Sequence, residues 1–160
     1  MLTKQSSYEN TKPDEMSFPV DLEQLLLEGK TIRIKPRGYS MYPLFVPGRD
    51  EAWIEKVSPE VLRWGEVVLY RREKGILVLH RIWKMNESGF YMVGDNQTEI
   101  EGPLRPNQIK GRLTGITRNG NYISVRNPVY RMLTGIWLFL RPFRPVLSKV
   151  AFHIKHRFKS

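Results

Sequence analysis

Apolar positions recur in two rhythms along this chain, and the change between them divides it. Residues 19–29 place Leu22, Leu25 and Leu26 at helical spacing with Gly29 behind them, which predicts one short helix packed on a core. From Thr31 the rhythm becomes alternation: Arg33 separates Ile32 from Ile34, and Lys35 leads into Pro36, as in a strand. Runs with β-branched and aromatic members follow at 52–57, 67–70, 76–85, 90–93, 112–117 and 122–125, parted by Gly, Pro, Asn and Glu. Asn119-Gly120 between the last two runs is the strongest hairpin signal, because both residues tolerate the positive φ of a type I′ turn. The pattern predicts a mainly β domain of short strands over 19–128.

Beyond residue 128 the rhythm is helical again. Residues 132–140 carry no charge but reach only about half the length of a bilayer-spanning helix. Arg141-Pro142-Phe143-Arg144-Pro145 interrupts them, after which Val146, Leu147, Val150, Ala151, Ile154 and Phe158 recur opposite Lys149, Lys155, Arg157 and Lys159. This predicts a basic amphipathic helical tail over 129–160. It suits peripheral contact with an anionic membrane or a membrane protein, and packing on its own domain is the simpler alternative. Residues 1–18 have almost no apolar run, so they are expected to be a flexible extension and not a secretory signal.

Charge sharpens this division. All 16 acidic residues lie before Gly102, so the net charge of +10 belongs to the C-terminal part. No helix-turn-helix, zinc finger or interleaved aromatic RNA motif accompanies those basic residues, so no specific nucleic acid is expected as a partner. The length of 160 residues fits one domain with extensions. The absence of cysteine excludes disulfides, thiolate zinc sites and cysteine nucleophiles, and no metal or cofactor is expected.

Two segments carry candidate chemistry. In Gly38-Tyr39-Ser40-Met41-Tyr42-Pro43, Gly38 lets backbone approach a substrate and Pro43 restrains the chain just past Ser40. Ser40 would then sit at a sharp turn with its own N–H open to an oxyanion, though an ordinary turn serine fits the local sequence as well. A serine hydroxyl needs a base to accept its proton. His80 offers one: alternation puts Ile76, Val78 and His80 on one strand face and Leu77, Leu79 and Arg81 on the other. Apolar neighbours disfavour the imidazolium, which suits a neutral base. His153 and His156 fall in the basic tail and belong to its polar surface.

Taken in order, four blocks between Thr31 and Ile116, about half the chain, resemble the signal peptidase I and SOS-repressor type serine peptidases. The first is Gly38-Tyr39-Ser40-Met41-Tyr42-Pro43, similar to that family's Gly-x-Ser-Met-x-Pro box. The second joins Gly48-Arg49-Asp50-Glu51-Ala52-Trp53-Ile54 to Trp64-Gly65-Glu66-Val67-Val68-Leu69-Tyr70. The third is Val78-Leu79-His80-Arg81-Ile82, and the fourth is Gly94-Asp95-Asn96 followed by Ile109-Lys110-Gly111-Arg112. A histidine followed by arginine resembles the archaeal and endoplasmic-reticulum branch, in which histidine replaces the lysine base.

The resemblance implies a coiled β fold and acyl transfer without metal or cofactor. Ser40 would attack the carbonyl of a leader, signal or precursor peptide, with His80 as base and acid and Gly38, Tyr39, Met41 and Pro43 around the oxyanion and substrate. Asp95 or Glu101 would orient His80, with Glu99 the weaker choice, and Asp95 could instead serve as a turn carboxylate. Two departures are visible. Gly38 stands where many members place a second serine of the oxyanion hole, which makes a catalytically degenerate peptide-binding or scaffold protein the alternative. Nothing in residues 1–18 resembles the family's membrane anchor, so the expected location is cytoplasmic, peripheral at the inner face of a membrane.

Overall fold

The computed structural model describes residues 21–73 and 75–140. The extension over 1–18, the basic helix beyond Pro145, His153 and His156 lie outside the described residues. Asp21 starts α1 (Leu22–Leu27), its Oδ1 accepting from the N–H groups of Glu23 and Gln24 at 3.0 and 3.2 Å. Eight strands follow: β1 (Ile32–Ile34), β2 (Asp50–Glu55), β3 (Val67–Arg71), β4 (Leu77–Asn86), β5 (Gly89–Val93), β6 (Glu101–Leu104), β7 (Ile109–Arg118) and β8 (Asn121–Ser124). They make one open antiparallel sheet in the order β1-β2-β7-β3-β4-β5-β6, with β8 also on β7, and α2 (Pro128–Phe139) completes the described chain. The protein is mainly β with two short helices.

Alternation along β3 and β4 sorts side chains into two cores. Val67, Leu69 and Leu79 join Leu26, Ile32, Met41, Phe45, Ile54, Leu113 and Ile116 in one cluster. Val68, Tyr70 and Ile82 join Leu62, Phe90, Met92, Leu104 and Ile109 in the other. His80 lies between Val78 and Ile82 in the β4 alternation, so it belongs to the face of the second core, as the sequence pattern predicts. The Asn119-Gly120 hairpin forms too, with φ of 49° and 80° at the two positions and Arg118 paired to Asn121.

β6 lies outside the runs that the apolar pattern predicts. Gly102 and Pro103 break the apolar pattern of β6, and proline cannot donate to a ladder. β6 is the last strand in the order, paired with β5 alone, so the missing donor is tolerated there. Its first residue, Glu101, lies opposite Met92.

α2 packs on the sheet domain. Thr134 and Leu138 are buried, Tyr130 packs on the first core, and the Trp137 indole donates to the Asp95 carbonyl at 2.9 Å. The helix α2 covers the first part of the tail expected from residue 129. Its other side exposes Val129, Met132, Leu133, Ile136 and Phe139.

Asp50 fastens the long connection between β1 and β2. Its buried carboxylate accepts from Arg118 Nε and Nη2 at 3.0 and 2.9 Å, from Arg49 at 2.8 and 2.9 Å, and from the Val46 N–H at 2.8 Å. Arg118 also donates to the Leu44 carbonyl at 2.9 Å, tying that connection to the end of β7. Asp50→Ala leaves Arg118 without its carboxylate and is expected to cost about 3–5 kcal/mol. Urea denaturation at pH 7 measures it, and a loss under about 1 kcal/mol contradicts the assigned role.

Candidate active site

Ser40 lies half-buried in the turn that leaves β1. Gly38 enters that turn at φ +82°, with no other atom near its missing Cβ, so backbone conformation and not crowding selects glycine. Met41 and Phe45 root the turn in the first core, and the Phe45 N–H donates to the Met41 carbonyl at 2.9 Å. The Met41 side chain is thus part of the core. Tyr39 and Tyr42 point outward beside Ser40 and meet edge to face with centroids 6.4 Å apart. Pro43 follows, half-buried.

Backbone contacts tie this turn to the segment that follows β5. Arg81 pairs with Val93, the last residue of β5, and the chain leaves that strand as Gly94-Asp95-Asn96. The Asn96 N–H donates to the Ser40 carbonyl at 2.7 Å. A Cβ on Gly94 would sit 2.6 Å from the same oxygen, so glycine there is a condition of the contact. Among the described residues, neither the Ser40 hydroxyl nor its N–H has a hydrogen-bond partner. The Ser40 hydroxyl therefore makes no hydrogen bond to His80 in this structure.

The candidate carboxylates have different employments. Asp95 is buried and accepts from Arg81 Nε and Nη2 at 2.8 and 2.7 Å, while Arg81 Nη1 donates to the Gly65 carbonyl at 2.6 Å. Both carboxylate oxygens are thus engaged by Arg81, and Asp95 holds its loop to β4. Glu101 accepts from Arg72 Nε and Nη2 at 2.7 and 2.5 Å and from the Tyr70 hydroxyl at 2.7 Å. Tyr70 in turn lies 3.1 Å from His80 Nδ1. Glu99 is exposed. The carboxylate linked to His80 is Glu101, and the link passes through a tyrosine.

Burial pushes the His80 imidazole down from 6.5 to about 4, against the opposing pull of Glu101 and Asp95 and with Arg72 adding to the depression. His80 is therefore neutral at pH 7. Burial pushes Glu101 up, but the hydrogen bonds from Arg72 and Tyr70 outweigh it and hold the carboxyl below its usual range. Burial, then Glu101, raises the Tyr70 phenol above its ordinary value, so it keeps its proton.

Tyr70 and Arg72 were not singled out by sequence reasoning. Tyr70 looks like the end of an ordinary apolar run, and only the β3–β4 register, with Val68 opposite His80, brings its hydroxyl to the imidazole. Among the described residues, no three His, Asp or Glu side chains converge to hold a metal ion. No protein-family model and no curated protein matches this chain.

The low His80 value sets a pH window. Between pH 6.5 and about 4 the unfolded chain binds a proton that the folded one refuses, so this stability is present above 6.5 and is lost as pH falls. From pH 7.5 to 5 the loss amounts to about 2 kcal/mol. Glu101 and Asp50, both depressed, act lower, as pH falls below their ordinary range. Urea midpoints at pH 7.5, 6 and 5 should fall in the wild type and fall less in His80→Gln. Equal slopes would contradict the buried neutral imidazole.

Proposed function

We propose that this protein is a serine peptidase in which Ser40 is the nucleophile and His80 the general base. More particularly, we propose a peptidase of the signal-peptidase type, in the branch that uses histidine, acting on a leader, signal or precursor peptide. The observation that supports the reading is the seating of the Ser40 turn on Gly94 and Asn96, which follow the β5 partner of Arg81, together with a buried imidazole at His80 that is neutral at pH 7. The Ser40 N–H, without a partner among the described residues, supplies one oxyanion donor. In the reaction, Ser40 Oγ bonds to the scissile carbonyl carbon as its proton passes to His80. His80 then gives that proton to the departing amine as the C–N bond breaks, and water repeats the cycle. By family resemblance the residue before the cleaved bond is small.

The second reading, a peptide-binding scaffold without catalysis, is favoured by Gly38, which brings no hydroxyl to the oxyanion position, and by a Ser40 hydroxyl without a partner among the described residues. A fluorophosphonate probe separates the two. It should label Ser40 in the wild type and label neither Ser40→Ala nor His80→Gln, with far-UV circular dichroism unchanged. Cleavage of peptides that accumulate beside Ser40→Ala should be lost in both single variants, and the double variant should be no worse. An unlabelled wild-type Ser40 would favour the scaffold.

For location we propose the cytoplasmic face of a membrane, held there peripherally. Support comes from the exposed face of α2, where Val129, Met132, Leu133, Ile136 and Phe139 precede a segment with Arg141, Arg144, Lys149, Lys155, Arg157 and Lys159 and no acid. Each basic residue near an anionic surface contributes about 1 kcal/mol. No helix among the described residues is long and apolar enough to cross a membrane. The full chain should float with phosphatidylserine-containing vesicles and not with phosphatidylcholine alone, and Leu133→Ser with Phe139→Ser should reduce flotation. Equal flotation of the double variant would remove α2 from the contact.

A further inference from the structure

We infer that Tyr70 is a positioning residue that selects the tautomer of His80, leaving Nε2 as the atom that accepts the nucleophile's proton. The consequence for catalysis rests on the peptidase reading, whereas the tautomer follows from geometry alone. A phenol has one proton to donate, and the Tyr70 hydroxyl has two close neighbours, Glu101 Oε2 at 2.7 Å and His80 Nδ1 at 3.1 Å. Glu101 is an anion gripped at both oxygens by Arg72, and a carboxylate can only accept. The phenol proton is therefore directed at Glu101.

What the phenol oxygen presents to His80 is then a lone pair. An unprotonated Nδ1 would set a second lone pair against it at 3.1 Å, inside the second core, where water cannot relieve the mismatch. A protonated Nδ1 turns the same contact into an N–H to oxygen hydrogen bond. Neutral imidazole carries one ring proton, so Nε2 is left bare and basic. Arg72 cannot reverse this order, because guanidinium also only donates and its effect is to keep Glu101 ionised.

Nδ1 keeps its proton through the proposed cycle. The Ser40 proton enters and leaves at Nε2, and in the imidazolium state the Nδ1–H bond to Tyr70 stays in place with Glu101 behind it. The tyrosine thus passes on orientation without itself transferring a proton. This separates the work of the two acids: Asp95 fixes the loop under Ser40, and Glu101, through Tyr70, fixes the base.

The test reads the tautomer directly in the full chain. Long-range ¹H–¹⁵N spectra of ¹⁵N-histidine-labelled protein at pH 7.5, with His80 assigned by its loss in His80→Gln, should show Nδ1 protonated and Nε2 pyridine-like. Tyr70→Phe removes the acceptor and should move His80 toward the Nε2–H form. Glu101→Gln should do the same by another route: its carboxamide oxygen turns to Arg72, its NH₂ donates to the phenol oxygen, and the phenol proton swings to Nδ1. Fluorophosphonate labelling of Ser40 should slow at least about tenfold in both variants, with far-UV circular dichroism unchanged.

An Nε2–H tautomer in the wild type, or a tautomer unchanged in both variants, would overturn the inference. An Nδ1–H imidazole beside a Ser40 that never labels would leave the tautomer assignment standing and overturn the peptidase reading instead.

Discussion

The arrangement depends on one buried ion pair. Taking Arg81 and Asp95 out of water costs several kcal/mol for each ion, and only good geometry with full hydrogen bonding offsets it. Arg81 meets that condition with two bonds to Asp95 and a third to the Gly65 carbonyl. The cost of separating the pair is what makes the Gly94-Asp95-Asn96 loop a fixed surface. Ser40 is held by backbone to that loop, and Trp137 of α2 bonds the carbonyl of Asp95 itself. Tyr130 of the same helix also faces Arg81. One pair therefore joins three otherwise separate pieces: the turn after β1, the strand β4 and the last described helix.

Because side chains alternate along a strand, placing Arg81 on one face puts His80 on the other. There it meets Tyr70, whose hydroxyl would itself be a buried polar liability without Glu101. The network ends at Arg72, which is partly exposed, so its charge stays hydrated while Glu101 is satisfied. Two ion pairs thus flank β4 with opposite character. Arg81 with Asp95 is dry and structural, and Arg72 with Glu101 is open at one end and feeds its negative charge toward the imidazole.

How much of this was legible in the chain depended on range. Alternation over 76–85 placed His80 and Arg81 on opposite faces, because a period of two is a local property. Asn119-Gly120 announced its turn through the φ values those residues tolerate. β6 escaped because Gly102 and Pro103 erase the local signal, and its edge position, which makes proline harmless, is a property of the whole sheet. With β6 went the location of Glu101, and with it the distinction between the two candidate acids. Tyr70 escaped for the same reason: its apolar run is local, whereas the partner of its hydroxyl comes from a strand 31 residues away. Met41 was placed near the substrate by its neighbour Ser40, and its burial with Phe45 shows that one side of the turn belongs to the core.

Gly38 can be understood in the same terms. A serine hydroxyl at this position would have room, since nothing stands near the missing Cβ, but φ of +82° disfavours any L side chain by roughly 1–2 kcal/mol. The backbone path that brings Ser40 against Gly94 thus calls for glycine at this position. On the proposed peptidase reading, seating the nucleophile and supplying a side-chain donor compete for one residue, and in this chain the seat has prevailed. On that reading the N–H of Ser40, without a partner among the described residues, is a backbone donor for the oxyanion.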